Sequence, residues 1–186
     1  MKEFIEYILQ FGYLNQQQID FIISKATELE LHKNEYFWKA GRIPKQIGYV
    51  LEGVLRTYKH DDDGEEKTRY FIDENHLILD WEKFGNNVPP IQAITTCKLL
   101  VLSKQDLEDI SNTVEGWNDI LQKITAKNNN EKLEKRSPLV AQDASTRYAE
   151  FMKQFPTMVN RVPLAYVASY LGIAQQSLSR IRKNIR

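Results

Sequence analysis

Between Thr27 and Ser103 the apolar residues recur in short runs separated by turn residues, and this period constrains the fold more than any other feature of the chain. ELELHK alternates, and YFWKAG follows it closely. IGYVLEG runs into VLRTYKH across Glu52–Gly53, which reads as a tight hairpin. DDDGEE is a polar reversal before KTRYFI, and IQAITTCKLLVLS is β-branched and apolar. Many short strands joined by tight turns predict an antiparallel roll or barrel. Helical spacing brackets it. Phe4, Ile5, Ile8 and Leu9 recur at helical intervals, and Ile19, Ile22 and Ile23 do so after a polar break at Asn15–Gln18. Beyond Lys104, Leu107 and Ile110 fit a short helix. Trp117, Leu121 and Ile124 begin a longer one that turns polar towards Lys135. Ser137–Pro138 predicts a break, because proline disfavours helix at the preceding residue. Tyr148, Phe151, Met152 and Phe155 mark a further helix that ends near Pro156.

The chain is 42% hydrophobic and 11% aromatic, enough to fill a core. Its single cysteine, Cys97, excludes an internal disulfide framework and an all-cysteine metal or iron–sulfur site, which fits a reducing compartment. MKEFIEYILQ has no long apolar core or small-residue cleavage site, and no apolar run reaches the ~18 residues of a membrane span. The expectation is a cytoplasmic protein without a membrane partner.

VPLAYVASYLGIAQQSLSRIRKNIR runs from Val162 to Arg186. No acid follows Glu150, yet six of the 25 basic side chains do: Lys153, Arg161, Arg180, Arg182, Lys183 and Arg186. The remaining 19 share residues 1–150 with all 25 acids. A local excess of this size favours a polyanion over long range, with strong salt dependence. The same stretch has the grammar of a helix-turn-helix. Pro163 suits the start of the first helix, and Ala168 is the small residue where two helices cross closely. Gly172 supplies the positive φ of the turn, and Leu178 faces inward with Val167, Leu171, Ile173 and Ile181. Ala174 is a poor cap for the second helix, at a cost of about 1 kcal/mol.

The outward face of that second helix holds Gln175, Gln176, Ser177, Ser179, Arg180, Arg182 and Lys183. Arginine reads guanine bidentately and glutamine reads adenine, while Ser, Lys and Arg hold phosphates. Double-stranded DNA is the expected partner. The alternative is an effector-binding or protein-interaction module that does not bind DNA. A partner-protein helix would normally turn apolar anchors outward, and this one offers a polar row. No paired acid–base or nucleophile set marks an enzyme, and no cofactor is implied.

Roll, long helix and helix-turn-helix in this order resemble the Crp/Fnr superfamily of transcription regulators. The resemblance rests on YVASYLGIAQQSLSRIRK and on KAGRIPKQIGYVLEGVLRTYK, with Gly41 and Gly53 at turn positions typical of the family. It implies an α+β fold with N-terminal helices, an antiparallel β jelly roll, a long dimerisation helix and a C-terminal helix-turn-helix with little or no wing. The corresponding units are a sensor roll over 1–114, a linker helix over 115–140 and a DNA-binding unit over 141–186. It also implies a homodimer on a palindromic operator, with RNA polymerase and an unknown small-molecule effector as further candidate partners. By position, Gln175, Gln176 and Arg180 match the family's base-reading residues, flanked by Ser177 and Ser179. Arg182, Lys183 and Arg186 would mainly hold phosphates.

The sequence departs from the family's cyclic-AMP cassette, which opens with Gly-Glu and closes with Arg-Ser. NHLILDWEKFG (Asn75–Gly85) and VPPIQAIT (Val88–Thr95) contain neither pair, and no Arg or Lys lies between Lys83 and Lys98. A buried phosphate needs a paired cation, so cyclic AMP is not expected to bind in the usual way. Trp81 and Phe84 with Pro89 and Pro90 either plug the pocket or line one for an apolar effector. His32, His60 and His76 show no metal-pair spacing, and DDDGEE lacks the spacing of a calcium loop. The Trp117–Leu121–Ile124 stripe, which Asn128 extends, reads either as core against the roll or as a dimer seam whose register Asn128 would fix.

Overall fold

The computed structural model describes residues 1–79, 88–134 and 143–185. Two helices, α1 (Lys2–Ile8) and α2 (Gln16–Lys25), precede eight strands. These are β1 (Thr27–Leu31), β2 (Tyr36–Trp38), β3 (Gln46–Glu52), β4 (Leu55–His60), β5 (Glu66–Ile72), β6 (Leu77–Ile78), β7 (Ile91–Ala93) and β8 (Cys97–Ser103). Then follow α3 (Lys104–Thr113), α4 (Trp117–Glu134), α5 (Ala144–Gln154), α6 (Leu164–Leu171) and α7 (Gln175–Ile185). The class is α+β, as expected. The polar break at Asn15–Gln18 is a capping box: Asn15 accepts from the Gln18 N–H and Gln18 from the Asn15 N–H, both at 2.9 Å. Ser103 and Asp106 form the same device at the start of α3. The Ser137–Pro138 break, the boundary at 140, Trp81, Phe84 and Arg186 lie outside the described residues.

The strands form two antiparallel sheets, ordered β1-β8-β3-β6 and β2-β7-β4-β5. Alternation along each strand decides what it touches. In β8, Cys97, Leu99 and Val101 point between the sheets, while Leu100 and Leu102 point outward. The outward pair packs with Tyr49 of β3 against Phe4 and Ile8 of α1 and Trp117, Ile120 and Ile124 of α4. Both faces of β8 are therefore covered, which explains its nearly unbroken apolar run. The second sheet carries the C-terminal helices on its outer face: Phe71 of β5 joins Tyr148, Phe151, Phe155, Tyr170 and Leu171.

One expectation changes here, and one open reading is decided. Glu52–Gly53 is not a hairpin: β3 pairs with β6 and β8, whereas β4 pairs with β5 and β7. The chain crosses from one sheet to the other at this point, so that Val50 and Leu55, both 0% exposed, meet inside the sandwich. Gly53 permits the crossing with φ 106°, and an added Cβ would lie 2.5 Å from the Thr96 carbonyl oxygen. The α4 stripe is core. Trp117 and Ile124 are fully buried, and Asn128, 1% exposed, donates through Nδ2 to the Leu77 carbonyl at 3.0 Å. Asn128 thus points into its own roll rather than across a two-fold seam.

Gly53→Ala combines a positive φ with a backbone clash and is expected to destabilise the fold by at least about 2 kcal/mol. Urea unfolding measures it; a midpoint equal to that of the parent would contradict the crossing described here.

Candidate nucleic-acid interface

The chain beyond Asp143 folds into α5, α6 and α7 around one apolar cluster. Val167, Ala168, Leu171 and Leu178 are each 2% exposed or less. Gly172 ends α6 with φ 64° and ψ 37°, a left-handed conformation. The Ile173 N–H then reaches back to the Ala168 carbonyl at 3.0 Å, closing a Schellman-type turn. Ala168 and Leu178 are buried in the same cluster, where α6 and α7 pack together. α7 starts without a side-chain cap, and its first helical bond runs from the Leu178 N–H to the Ala174 carbonyl at 3.1 Å.

The anticipated contact residues divide by face. Gln176, Arg180 and Lys183 follow one another at helical spacing and are exposed, as are Gln175 and Ser177 beside them. Ser179 and Arg182 are half-buried on the flank nearer the core, and Arg182 donates to Asn160 Oδ1 at 2.8 Å. Between Gln175 and Asn184 no apolar side chain is exposed. The face presents amide donors and acceptors with two exposed cations, chemistry suited to base edges and phosphates.

What holds this unit on the roll was not visible in the sequence. β5 is an edge strand, and Ser169 of α6 satisfies that edge: its Oγ accepts from the Thr68 N–H and donates to the Glu66 carbonyl, both at 3.0 Å. Arg56 of β4, 2% exposed, lies between the Tyr58 and Tyr166 rings, 4.4 and 3.9 Å from their centroids. Its charge is met by Glu66, and its Nε donates to Gln92 Oε1 at 3.0 Å. Glu74 accepts from the Gly53 N–H at 2.8 Å and from Arg161 Nη1 and Nη2 at 2.9 and 2.5 Å, tying the sheet crossing to the segment before α6. Burial pushes the Glu74 carboxyl up, but Arg161 together with the Glu74 and Gly53 N–H groups brings it below the usual range.

Cys97 is buried, and that burial raises its thiol, as suits a packing residue. Among the described residues no group of three or more His, Cys, Asp or Glu side chains is placed to hold a metal. Nor, among them, is any helix long and apolar enough to cross a membrane.

Residues 28–113 match the cyclic nucleotide-binding domain family. No curated protein sequence matches the chain. Among solved structures it is similar to FixK2 from Bradyrhizobium japonicum, with a TM-score of 0.70, 18% identity, and coverage of 86% of this chain and 84% of that one. A Crp/Fnr-family protein from Eubacterium rectale gives 0.69 at 16% identity, covering 92% and 83%. The c-di-GMP responsive global regulator CLP of Xanthomonas campestris gives 0.68 at 14% identity, covering 92% and 91%. At these identities the likeness is one of fold.

A carboxylate held below its ordinary value contributes stability above that value and loses it as the pH falls through the lowered one. Glu74→Gln is therefore expected to lower the unfolding midpoint at about pH 7 and to differ far less from the parent at about pH 3. Denaturant titrations at the two pH values measure this; a constant difference would show that the Arg161 pair is not what Glu74 contributes.

Proposed function

We propose that this chain, Crp/Fnr-like in fold and carrying a cyclic nucleotide-binding domain over residues 28–113, is a DNA-binding transcription regulator. One observation carries the reading: the exposed face of α7 bears Gln176, Arg180 and Lys183 on a unit without a single acid from Phe151 to its end. α6 and α7 act as the helix-turn-helix. Gln175, Gln176 and Arg180 read base edges, with Ser177 and Ser179 beside them. Lys183 holds phosphate, and Arg182 does so from its place next to Asn160. A protein-binding helix would expose apolar anchors, and α7 exposes none between Gln175 and Asn184.

The protein works as a homodimer, because a two-fold axis sets two such helices about 34 Å apart on successive major grooves of a palindrome. With Trp117, Ile124 and Asn128 turned into the roll, the outward face of α4 left for a second copy is Gln122, Ala126, Asn129 and Leu133. That face is mostly polar, so the contact is not a leucine seam.

The roll does not use cyclic AMP in the family's usual manner. Val88, Pro89, Pro90 and Ile91 stand where the phosphate-binding cation would be expected, and Arg56 is already met by Glu66 and Gln92. Calorimetry with cyclic AMP is expected to show no micromolar binding, and such binding would overturn this point.

Selection of bound genomic fragments at two salt concentrations is expected to return a palindrome. On that sequence Arg180→Ala should cost about 1–3 kcal/mol and relax the preference at one position, while Lys183→Ala should weaken all sequences alike and flatten the salt slope by about 1. Operator binding unchanged in Arg180→Ala would remove the base-reading role of α7.

A further inference from the structure

The side chains that α7 turns outward differ in what they can match on a base edge. Gln176 and Arg180, one helical turn apart, lie on the line opposite Leu178, which is 0% exposed and anchored in the apolar cluster with Ile173 and Ile181 packed against it. Four residues of helix span about 6 Å and base pairs stack about 3.4 Å apart, so two side chains at this spacing reach base pairs one or two steps apart. Arg182 of the same helix is half-buried and donates to Asn160 Oδ1 at 2.8 Å on the flank. Arg180 is therefore the arginine that α7 turns outward.

The chemistry of these groups selects bases. A guanidinium only donates, and guanine is the base that shows two neighbouring acceptors, N7 and O6, in the major groove. A carboxamide donates and accepts in one plane, which matches the N6 donor and N7 acceptor of adenine. Cytosine shows a single donor, N4, and is best met by a carboxylate, which only accepts. No Asp or Glu follows Glu150, so α7 has no such group. Thymine is distinguished by its methyl, and α7 exposes no apolar side chain between Gln175 and Asn184 to meet it. Each base pair read by the outer line of α7 is thus identified through its purine.

We propose that Gln176 is a specificity-determining residue that selects adenine in each half-site, that Arg180 selects a guanine adjacent to it or one base pair away, and that α7 specifies no cytosine. Gln175, next to Gln176 at the start of the helix, brings a second amide with the same preference. Lys183, one turn beyond Arg180, holds phosphate as a point charge. The inference rests on α7 lying in a major groove and names the DNA that it takes there. It has a reciprocal form: a carboxylate in place of the Gln176 amide exchanges adenine for cytosine. An acid is favoured in the first turn of a helix, so Gln176→Glu leaves the fold intact.

The probe is a DNA duplex library randomised over about 20 base pairs, enough for two half-sites one helical turn apart, selected on the full chain. The parent is expected to return a motif with an adenine and a guanine adjacent or one base pair apart in each half. Gln176→Glu should return that motif with the adenine replaced by cytosine and the guanine kept, and Gln176→Ala should return it with the adenine position degenerate. On a duplex of the parent motif, changing the adenine to cytosine should weaken the parent by roughly 5- to 150-fold and Gln176→Ala hardly at all. Melting temperatures equal to that of the parent show that both variants are folded, and Gln176→Ala decides the matter if Gln176→Glu binds too weakly to select. A motif unchanged in the variants overturns this inference and leaves the DNA-binding reading standing. A parent chain that selects no sequence overturns that reading, and the inference with it.

Discussion

The docking of the C-terminal helices onto the outer face of the second sheet is the contact from which the remaining geometry follows. Phe71 alternates outward from β5 while Tyr70 and Ile72 point inward, and a single outward phenylalanine on an exposed sheet face would be costly. It becomes the centre of an aromatic cluster instead, with Tyr170 at 5.3 Å and Phe151 and Phe155 each at 6.1 Å between ring centroids. That cluster uses the inward faces of α5 and α6. Once those are committed, Leu178 can only pack on the same core, and the opposite face of α7 is left to solvent.

The polar contacts around the cluster add direction to its affinity. Apolar packing tolerates sliding; Ser169 on the β5 edge, Arg56 between two tyrosines and Glu74 beneath Arg161 do not. Each joins different elements of the fold, and Arg56 is the one that is fully buried. Arg56 is the clearest case. Buried on the outer face of β4, it would be intolerable without Glu66 and Gln92, and its guanidinium plane gives Tyr166 a surface to stack upon. The roll therefore presents a specific seat rather than a greasy patch.

These distances in sequence explain what could be read from the chain and what could not. The α6–α7 turn was legible because Ala168, Gly172 and Leu178 impose their requirements on one another within eleven residues. The alternation of β8 was equally local. Gly53 was misread because the atoms that demand a glycine there, on Thr96 and Cys97, lie more than forty residues on, so a crossing between sheets looked like a turn within one. The α4 stripe was ambiguous for a related reason: apolar spacing reveals that a face is buried but not against what. Glu74, Ser169 and Arg147 gave no local sign at all, since their partners come from other elements. An arginine inside the strand VLRTYKH, two residues before a tyrosine on the same face, was the one available hint.

Two charged side chains fix the two ends of α6. Glu74 touches Gly53, where the chain changes sheets, and Arg161, just ahead of α6; it also follows Asp73, whose Oδ2 accepts from Thr157 Oγ1 at 3.2 Å. Arg147 holds the carbonyl end of α6 from below. The turn between α6 and α7 is thus pinned from the roll on one side and from α5 on the other. Glu74 fixes the segment before α6 on the roll, Arg147 fixes the end of α6 on α5, and the apolar cluster around Phe71 holds the three elements together.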